Sequence, residues 1–315
     1  MRTDIFQLLC LAALLVTAGC GQSDTNKKPK DTVTSGTIEI SCDESFAPII
    51  DQEINVFEST YPNASILPHY VSEVEALNLL LQDSVRLAVA TRELTSEEVK
   101  ALNAKKLFPK STKIATDGIA FIVNKKNPNR VVSVDDLRKV VTGEVTRWDQ
   151  LFPGSKLGGL QLVFDNQNSS TVRFAIDSLC QGKPLYNGLK AMKSNEAVID
   201  FVSQSPDAIG VIGASWIGNK NDSTNTSFTD RVEVMAVRKH AGFEAFRPYQ
   251  YYLATGEYPL TRSVYIIITD PRSGLPSGFT RFVASYKGQL IILKTGIVPS
   301  QANILLRDVS VSNDF

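Results

Sequence analysis

Three consecutive hydroxyl side chains, Ser169-Ser170-Thr171, lie between an apolar strand pattern at 160–164 and a helical pattern at 171–180. The start of a helix leaves backbone N–H groups without intrahelical acceptors and carries partial positive charge. Hydroxyl and amide donors grouped at such a point can bind a tetrahedral oxyanion. Because Ser and Thr are also the ordinary N-cap residues, the triplet taken alone favours a structural cap over an anion site.

Two further polar loops precede helical patterns and strengthen the binding interpretation. The loop at 43–45, Asp-Glu-Ser, joins a strand to a helix start, and the loop at 71–73, Val-Ser-Glu, precedes another helix. Ligands of open α/β sheets bind beyond the carboxyl ends of the strands. The loops and the hydroxyl triplet are therefore expected to face one another across a cleft.

A basic side chain, that of Arg92, also lies at the end of a predicted strand. Arg92 follows directly on the strand pattern at 86–91, where a strand ends and a loop begins. It could supply positive charge to an anion in the cleft. The alternative is a surface ion pair with Glu93 or Glu97, which would have no role in binding.

Strand patterns alternate with helical patterns along most of the chain. Strands are predicted at 37–41, 86–91, 113–124, 160–164, 208–213, 231–237 and 263–269. Helices are predicted from about 47 to 57, at 75–82, at 95–104 with a Thr95–Glu98 capping box, from a Ser133 cap to Gly143, at 171–180, from a Ser194 cap, and at about 276–287. This alternation predicts an α/β architecture with largely parallel sheets.

Composition restricts the functional class. The chain has 315 residues, enough for two lobes of ordinary size with a substantial core. Its 33 basic and 33 acidic side chains balance, so we expect no nucleic-acid partner. Any anion site must therefore depend on a few local donors and not on the charge of the whole protein.

The N-terminal segment predicts export and a membrane anchor. Arg2 precedes the apolar run IFQLLCLAALLV, which has the length of a signal-peptide core and is followed by Thr-Ala-Gly-Cys ending at Cys20. The pattern resembles a bacterial lipoprotein signal, with 1–19 removed, Cys20 lipidated and 20–36 forming a flexible tether. The alternative is an ordinary secretory signal cleaved nearby. No later stretch approaches about 18 apolar residues, so the lipid is expected to be the membrane anchor in the cell envelope.

Reactive side chains are sparse. Beyond Cys20, Cys42 and Cys180 remain, and either a disulfide or two buried thiols is compatible with them. Only His69 and His240 are present, without clustered Cys or His, so neither a metal site nor Ser–His catalysis is expected. The sequence has no Walker loop and no Gly-x-Ser-x-Gly elbow. We therefore expect no cofactor and no enzymatic activity.

Five segments, in order along the chain, resemble one family. They are ATDGIAFIVNKKNP (115–128), VSVDDLRKVVTGEVTRWDQL (132–151), FDNQNSSTVRF (164–174), SPDAIGVIGASWIG (205–218) and YPLTRSVYIIIT (258–269). They are similar to segments of the substrate-binding proteins of bacterial phosphate ABC transporters, the PstS-like family of type 2 periplasmic binding proteins. The resemblance implies two α/β lobes with a ligand cleft that closes by a hinge motion. We expect lobe 1 at 37–114 and 236–315, and lobe 2 at 115–235.

The resemblance also implies a set of phosphate ligands. By position they are Ser45, Phe46 through its amide, Ser72, Arg92, Asn168, Ser169, Ser170 and Thr171. Familiar members carry an Asp near the position of Arg92 and an Arg near that of Asp165, so this chain exchanges the two charges. We expect Arg92 to supply the charge and Asp165 or Glu44 to accept the proton of HPO₄²⁻, an arrangement that rejects sulfate.

The sequence thus predicts a lipid-anchored, monomeric binding protein that captures inorganic phosphate and presents it to an ABC permease. The alternative is a cell-envelope lipoprotein that uses the same fold to bind another oxyanion, or that acts in sensing or adhesion, without a transport role.

Overall fold

The computed structural model describes residues 31–218 and 228–301. The predictions about the signal peptide, Cys20 and the tether up to residue 30 lie outside the described residues. Residues 31–35, predicted as the end of the tether, already contact the folded domain. The Asp31 carboxylate accepts a hydrogen bond of 2.8 Å from the amide of Leu275.

The secondary structure follows the predicted alternation of strands and helices. The strands are β1 Gly36–Asp43, β2 Ala64–Val71, β3 Leu87–Ala90, β4 Lys110–Val123, β5 Val131–Ser133, β6 Gln161–Phe164, β7 Lys190–Ala191, β8 Ala208–Gly213, β9 Glu233–Val234, β10 Ala236–Arg238, β11 Thr261–Ile268 and β12 Val298–Pro299. The α-helices are α1 Ala47–Thr60, α2 Glu73–Leu81, α3 Ser96–Ala104, α4 Val134–Val141, α5 Trp148–Leu151, α6 Ser170–Phe174, α7 Asn195–Gln204, α8 Gln250–Thr255, α9 Leu275–Val283 and α10 Tyr286–Lys294.

One sheet runs through the molecule in the order β2-β1-β3-β11-β4-β8-β6-β7, with β9 and β12 also pairing to β4. β1 is parallel to β2 and β3, and β6 is parallel to β7 and β8. Between these parallel sets, β11 and β4 run antiparallel to their neighbours. The expectation of largely parallel sheets is therefore right for the two ends of the sheet and wrong for its middle.

The long strand β4 connects the two ends of this sheet. It pairs with β11 over residues 110–118 and with β8 over residues 119–123. One hydrophobic cluster includes Ile40, Phe57 and Phe279, and another includes Phe121 and Trp148. The carboxyl ends of β1 and β6, with the loops that follow them, are positioned by these packed elements.

Several predicted boundaries are confirmed by local geometry. Thr95 and Glu98 form the capping box at the start of α3, and Ser133 and Ser194 cap α4 and α7 through their hydroxyl groups. The predicted strand at 208–213 coincides with β8. These signals are local in sequence, which explains why they could be read without the tertiary structure.

Other elements differ from the expectation. The predicted helix at 171–180 is α6 followed by a π-helical turn at Ala175–Leu179. The predicted strand at 231–237 is divided into β9 and β10, and the predicted helix at 276–287 is divided into α9 and α10. The edge strand β2 was not predicted; its sequence ASILPHYV contains Pro68, which lowers a strand signal.

The predictions about the cysteines and about membrane-spanning segments can be compared with the structure of the described residues. Cys42 and Cys180 are both free and buried, so the structure has two buried thiols and not a disulfide. Within residues 31–218 and 228–301, no helix combines the length and the apolar character needed to cross a membrane.

Glu53 is a buried carboxyl group without a hydrogen-bond partner. It lies on α1 with 0% exposed surface, and neither side-chain oxygen has a partner within the described part of the chain. Burial raises its pKa from the ordinary 4.5 to about 9. The folded protein therefore keeps Glu53 protonated, while the unfolded chain releases this proton above its ordinary pKa.

This raised pKa predicts a loss of stability as the pH rises. The contribution of Glu53 to the free energy of unfolding is fully present below the pKa that this group has in the unfolded chain. As the pH rises from there to the pKa in the folded protein, the contribution falls by on the order of 1 kcal/mol per pH unit. In Glu53→Gln, this part of the pH dependence should disappear between about pH 5 and about pH 8 when urea unfolding is measured. Glu97→Gln, an exposed control on α3, should keep the wild-type slope. An unchanged slope in Glu53→Gln would contradict the assignment.

Candidate functional site

A buried arginine lies at the centre of the candidate site. The side chain of Arg262, on β11, is only 4% exposed. Its Nε donates a hydrogen bond of 3.0 Å to Asp117 Oδ2, and its Nη1 donates one of 2.6 Å to Ser170 Oγ. The guanidinium carbon lies 5.2 Å from the ring centroid of Phe46. One cation thus joins the middle of the sheet, the loop after β1 and the hydroxyl triplet.

The register of strands β11 and β4 explains why Arg262 and Asp117 form an ion pair. In the antiparallel β11–β4 ladder, Arg262 lies directly opposite Asp117. A Cβ atom added at Gly213, which ends β8, would lie 3.2 Å from Arg262 Nη2 and 3.3 Å from Asp117 Oδ2. The missing side chain therefore leaves room for the ion pair. Burial raises the pKa of Asp117, and the nearby Arg262 opposes this rise.

The loop after β1 presents polar atoms that have no partner. Asp43 Oδ1 accepts a hydrogen bond of 3.1 Å from the amide of Ser45. Within the described ranges, Asp43 Oδ2 and Ser45 Oγ are buried and have no hydrogen-bond partner. Ser215 Oγ and Trp216 Nε1 donate to the Ser45 carbonyl at 3.1 Å and 2.9 Å. The loop is therefore fixed through its backbone while two of its side-chain atoms remain available.

The three hydroxyl groups of the triplet have different roles. Ser169 caps α6, because its Oγ accepts from the amide of Val172 at 3.3 Å. Ser170 Oγ accepts from Arg262, and the Thr171 hydroxyl donates to Asp165. All three residues are buried. The ordinary capping role thus holds for Ser169, whereas Ser170 and Thr171 belong to the polar cluster.

Asn195 connects the two loops. Its Nδ2, at the start of α7, donates to Glu44 Oε2 and, at 3.3 Å, to Asp165 Oδ2. Its Oδ1 accepts from the amide of Gly213 at 3.4 Å. Burial raises the pKa of Glu44, and the hydrogen bonds from Asn195 limit the rise. Glu44 and Asp165, the two predicted proton acceptors, are therefore brought together.

A second ion pair lies beside this cluster. Glu73, at the start of α2, has a side chain 1% exposed, and its Oε2 lies 2.5 Å from Arg173 Nε. The amide and the hydroxyl of Thr91 each donate to Glu73 Oε1 at 2.6 Å, and Arg173 Nη2 donates to Thr91 Oγ1 at 2.6 Å. Burial alone would raise the pKa of Glu73, but Arg173 and Thr91 together hold it below its ordinary value.

The guanidinium of Arg92, the predicted cation of the site, has a carboxylate partner in the structure. The guanidinium of Arg92 donates to both carboxylate oxygens of Glu98, at 2.7 Å and 2.8 Å. Arg92 lines a pocket of about 370 Å³ that Arg262 also lines, but its hydrogen bonds are made to α3 and the adjacent backbone. An ion pair with an acidic neighbour, the alternative to a ligand role, is observed for Arg92, but its partner is Glu98 and not Glu93 or Glu97.

Two other predicted residues lie at the margin. Ser72 caps α2 through its Oγ, which accepts from the amide of Glu75 at 3.4 Å. Asn168 has an exposed side chain, and both residues line a surface pocket of about 300 Å³. The predicted residues in the buried cluster are Glu44, Ser45, Phe46, Asp165, Ser169, Ser170 and Thr171.

Sequence reasoning missed Asp43, Asp117, Asn195 and Arg262 as site residues. A signal for two of them was present. Asp117 and Arg262 are charges of opposite sign; Asp117 lies within the strand pattern at 113–124 and Arg262 directly precedes the strand pattern at 263–269. Buried charges require partners, so two such strands predict a pair. Which strands pair, and in what register, could not be deduced from that signal.

Comparisons with known proteins give a consistent result. The sequence model of the PBP superfamily domain matches residues 28–287. The curated "Phosphate-binding protein PstS" of Bacillus subtilis (strain 168) is 24% identical over 320 residues, covering 98% of this chain and 96% of that protein. The protein of the same name from Pseudomonas aeruginosa is 24% identical over 291 residues, covering 87% and 86%.

Solved structures show the same fold. A candidate phosphate ABC transporter substrate-binding protein from Clostridium perfringens, solved with bound phosphate, has a TM-score of 0.70 at 22% identity, covering 84% of this chain and 99% of that chain. An ABC-type phosphate transport receptor from Vibrio cholerae has a TM-score of 0.63 at 21% identity, covering 84% and 100%. These likenesses confirm the predicted two-lobed α/β fold of type 2 periplasmic binding proteins, while the lobe boundaries stay a prediction.

The Glu73–Arg173 pair allows a test with a matched control. Glu73→Gln removes the buried charge partner of Arg173 and should lower the free energy of unfolding by about 1–3 kcal/mol. Asp177→Asn removes the other carboxylate bound to the same arginine, but the Asp177 side chain is 56% exposed. That change should cost about 0.5 kcal/mol or less. Urea unfolding near neutral pH measures both; equal costs would contradict the structural role assigned to Glu73.

Proposed function

The chain belongs to the PBP superfamily, and we propose that it captures inorganic phosphate in the cleft and delivers it to an ABC transporter permease. The observation that carries the proposal is the buried guanidinium of Arg262, which binds Ser170 and lies near Phe46, in a loop where Asp43 Oδ2 and Ser45 Oγ have no hydrogen-bond partner among the described residues. Curated relatives over nearly the whole chain are named phosphate-binding proteins, which supports this ligand.

The donors suit a tetrahedral oxyanion. Arg262 Nη2 and Ser45 Oγ are buried donors without a hydrogen-bond partner among the residues described. Arg262 Nη2 lies 2.9 Å from Asp117 Oδ2 but lacks the alignment of a hydrogen bond. A guanidinium binds phosphate strongly through charge-assisted hydrogen bonds. The amides that begin α6 have no acceptor one turn earlier and add donors beside Ser170.

The proposed ligand set keeps most of the expected residues and changes the cation. It consists of Ser45, the Phe46 amide, Ser170, Thr171 and Arg262, with Ser169 holding the helix start. Asp43 and Asp165 provide proton acceptors, and Ser72 and Asn168 lie at the margin. No bond is made or broken in this role, and the proposal includes no cofactor.

Contacts between the predicted lobes support capture by closure. Trp216 and Ser215 donate to the Ser45 carbonyl, Asn195 donates to Glu44, and Arg173 binds Glu73. In each case one partner lies in 37–114 and the other in 115–235. Opening of a hinge would break these contacts and expose the buried donors to water, which is how a ligand could enter and leave.

The N-terminal sequence pattern supports a proposal about the processing and the cellular location of the protein. We further propose that residues 1–19 are removed, that Cys20 is lipidated, and that the domain acts as a monomer in the bacterial cell envelope. The lipid anchor would keep the domain near the permease at high effective concentration. Mass spectrometry of the purified mature protein would detect the lipid on Cys20.

The two candidate cations can be compared directly. Arg262→Gln should weaken phosphate binding about 100-fold or more, because it removes a buried charge-assisted donor. Arg92→Gln should change the affinity little, because the Arg92 guanidinium is bound to Glu98. Isothermal titration of phosphate-stripped protein with phosphate, and with sulfate as competitor, measures both variants.

Arg262→Gln leaves Asp117 without its charge partner and could unfold the protein. The double variant Arg262→Gln/Asp117→Asn removes both charges and keeps similar volumes, so a thermal melt separates loss of binding from loss of fold. A folded double variant that still binds phosphate as the wild type does would contradict the role of Arg262. Absence of phosphate binding by the wild type up to millimolar concentration would contradict the function itself.

A further inference from the structure

We propose that a groove between α1, α9 and α10 is a membrane-docking surface, which binds the headgroups of anionic phospholipids and holds the domain against the bilayer. This groove is separate from the candidate phosphate site, so the proposal goes beyond phosphate capture and adds a lipid partner of stated charge. The lipid anchor proposed above would bring the bilayer near, but the groove itself is expected to bind without it.

The groove combines buried aromatic rings with exposed cations. Phe57 and Phe282 are 1% and 8% exposed, and with Tyr61 they line a space of about 350 Å³. The ring centroid of Phe57 lies 4.9 Å from that of Tyr61 and 5.3 Å from that of Phe282. Arg281 and Lys287 line the same space with exposed side chains, and none of its described lining residues is acidic. Apolar and basic side chains grouped on one surface are typical of proteins that lie at a bilayer interface.

The positive charge of the groove is available to a partner. Neither Arg281 nor Lys287 has a side-chain hydrogen bond or an ion pair within residues 31–218 and 228–301. Guanidinium and ammonium groups bind phosphodiesters through charge-assisted hydrogen bonds. Tyr286, adjacent to Lys287, is 77% exposed, and tyrosine rings favour the headgroup region of a bilayer. The exposed ring and the two charges together favour an anionic lipid surface over a small soluble anion, which would use the charges alone.

The N-terminal end of the folded domain lies on a helix that borders this groove. Val33 and Thr34 also line the groove. A Cβ atom added at Gly278 would lie 1.8 Å from the carbonyl oxygen of Val33, so this segment packs directly on the backbone of α9. Asp31 accepts a hydrogen bond from the amide of Leu275, at the start of the same helix. The point at which the described chain begins is therefore fixed beside the groove.

The distance along the chain to the proposed lipid is short. Ten residues, 21–30, separate Cys20 from Asp31, and three of them are Lys. A flexible chain of this length has a root-mean-square span of about 18 Å and a fully extended length of about 40 Å. A lipid on Cys20 would therefore keep the groove close to the headgroups, at an effective concentration at which even weak contacts form.

The groove lies at the opposite end of α1 from the candidate phosphate site. This helix begins directly after Phe46, whose ring lies near Arg262, and it ends at Thr60, which lines the groove. A helix of 14 residues is about 21 Å long. Docking on a bilayer would therefore leave the phosphate site uncovered, and the two binding events should be independent of each other.

Vesicle sedimentation tests this surface in the absence of the lipid anchor. The mature chain with Cys20→Ser carries no lipid, so its binding to vesicles depends on the polypeptide. Its apparent dissociation constant is measured with vesicles of phosphatidylcholine alone and with vesicles that contain about 40% phosphatidylglycerol, at low and at high salt. Binding is expected to the anionic vesicles only, and it should weaken as the salt concentration rises, because the attraction is electrostatic.

Two double variants, both with Cys20→Ser, separate the groove from net charge. Arg281→Gln/Lys287→Gln should weaken binding to the anionic vesicles at least about tenfold, since each cation near such a surface contributes roughly fivefold. Lys125→Gln/Lys126→Gln removes the same net charge from two exposed side chains just beyond β4 and should bind almost as the parent does. Titration with inorganic phosphate should give the same affinity for the parent and for both variants.

Two vesicle results would overturn the inference. One is the absence of binding to anionic vesicles, and the other is an equal loss in the two double variants, because net charge alone would then explain the binding. A dimer in analytical ultracentrifugation that Arg281→Gln/Lys287→Gln dissociates would also overturn it, since the groove would then bind a second copy of this chain. None of these results affects phosphate capture, whereas a protein that binds anionic vesicles but no phosphate would contradict the proposed function alone.

Discussion

The ion pair between Arg262 and Asp117 is the constraint on which the candidate site depends. A guanidinium that is 4% exposed and a carboxylate that is 0% exposed are unfavourable in the protein interior unless they are paired with good geometry. The register of β11 and β4 provides this geometry, and Gly213 leaves the space for it. Ser170 is then fixed by Nη1, so the hydroxyl triplet is oriented from the centre of the sheet and not only from its own helix.

A second set of contacts holds the surrounding loops without using the atoms available to a ligand. Ser45 is fixed through its carbonyl and its amide, which leaves its hydroxyl available. Arg173 binds Glu73 and Thr91, and Arg92 binds Glu98, so these cations are neutralised at the margin. Donors that are held in advance lose little conformational entropy when a ligand arrives. Because carboxylates at the margin bind Arg173 and Arg92, Arg262 is the one of these three arginines that lies in the buried cluster.

Local signals predicted much of the fold, and non-local pairing decided the rest. The capping box of Thr95 and Glu98 and the strand β8 follow from nearby residues alone. Arg262 and Asp117 are 145 positions apart, so their contact depends on a strand register that the sequence pattern does not define. The position of Arg92 after a strand suggested a ligand, but Glu98, six residues on, binds its guanidinium in addition to capping α3. The position of a cation at a strand end can be read from the sequence, whereas competition among nearby carboxylates determines which partner its guanidinium binds in the fold.

The carboxyl groups of the cluster are compatible with an anionic ligand because affinity and selectivity have different origins. Converging donors stabilise any oxyanion of the right size, whether phosphate or sulfate. In the proposed site, an acceptor such as Asp43 Oδ2, which is buried and has no hydrogen-bond partner among the described residues, would weaken binding of both ions. It would penalise the ion without a proton more, because that ion would leave the acceptor unpaired. A protein with equal numbers of acidic and basic side chains gains no help from its net charge, so discrimination must be built into such contacts. Carboxylates beside a single buried arginine are therefore the expected chemistry of a selective site, in which some affinity is given up for specificity.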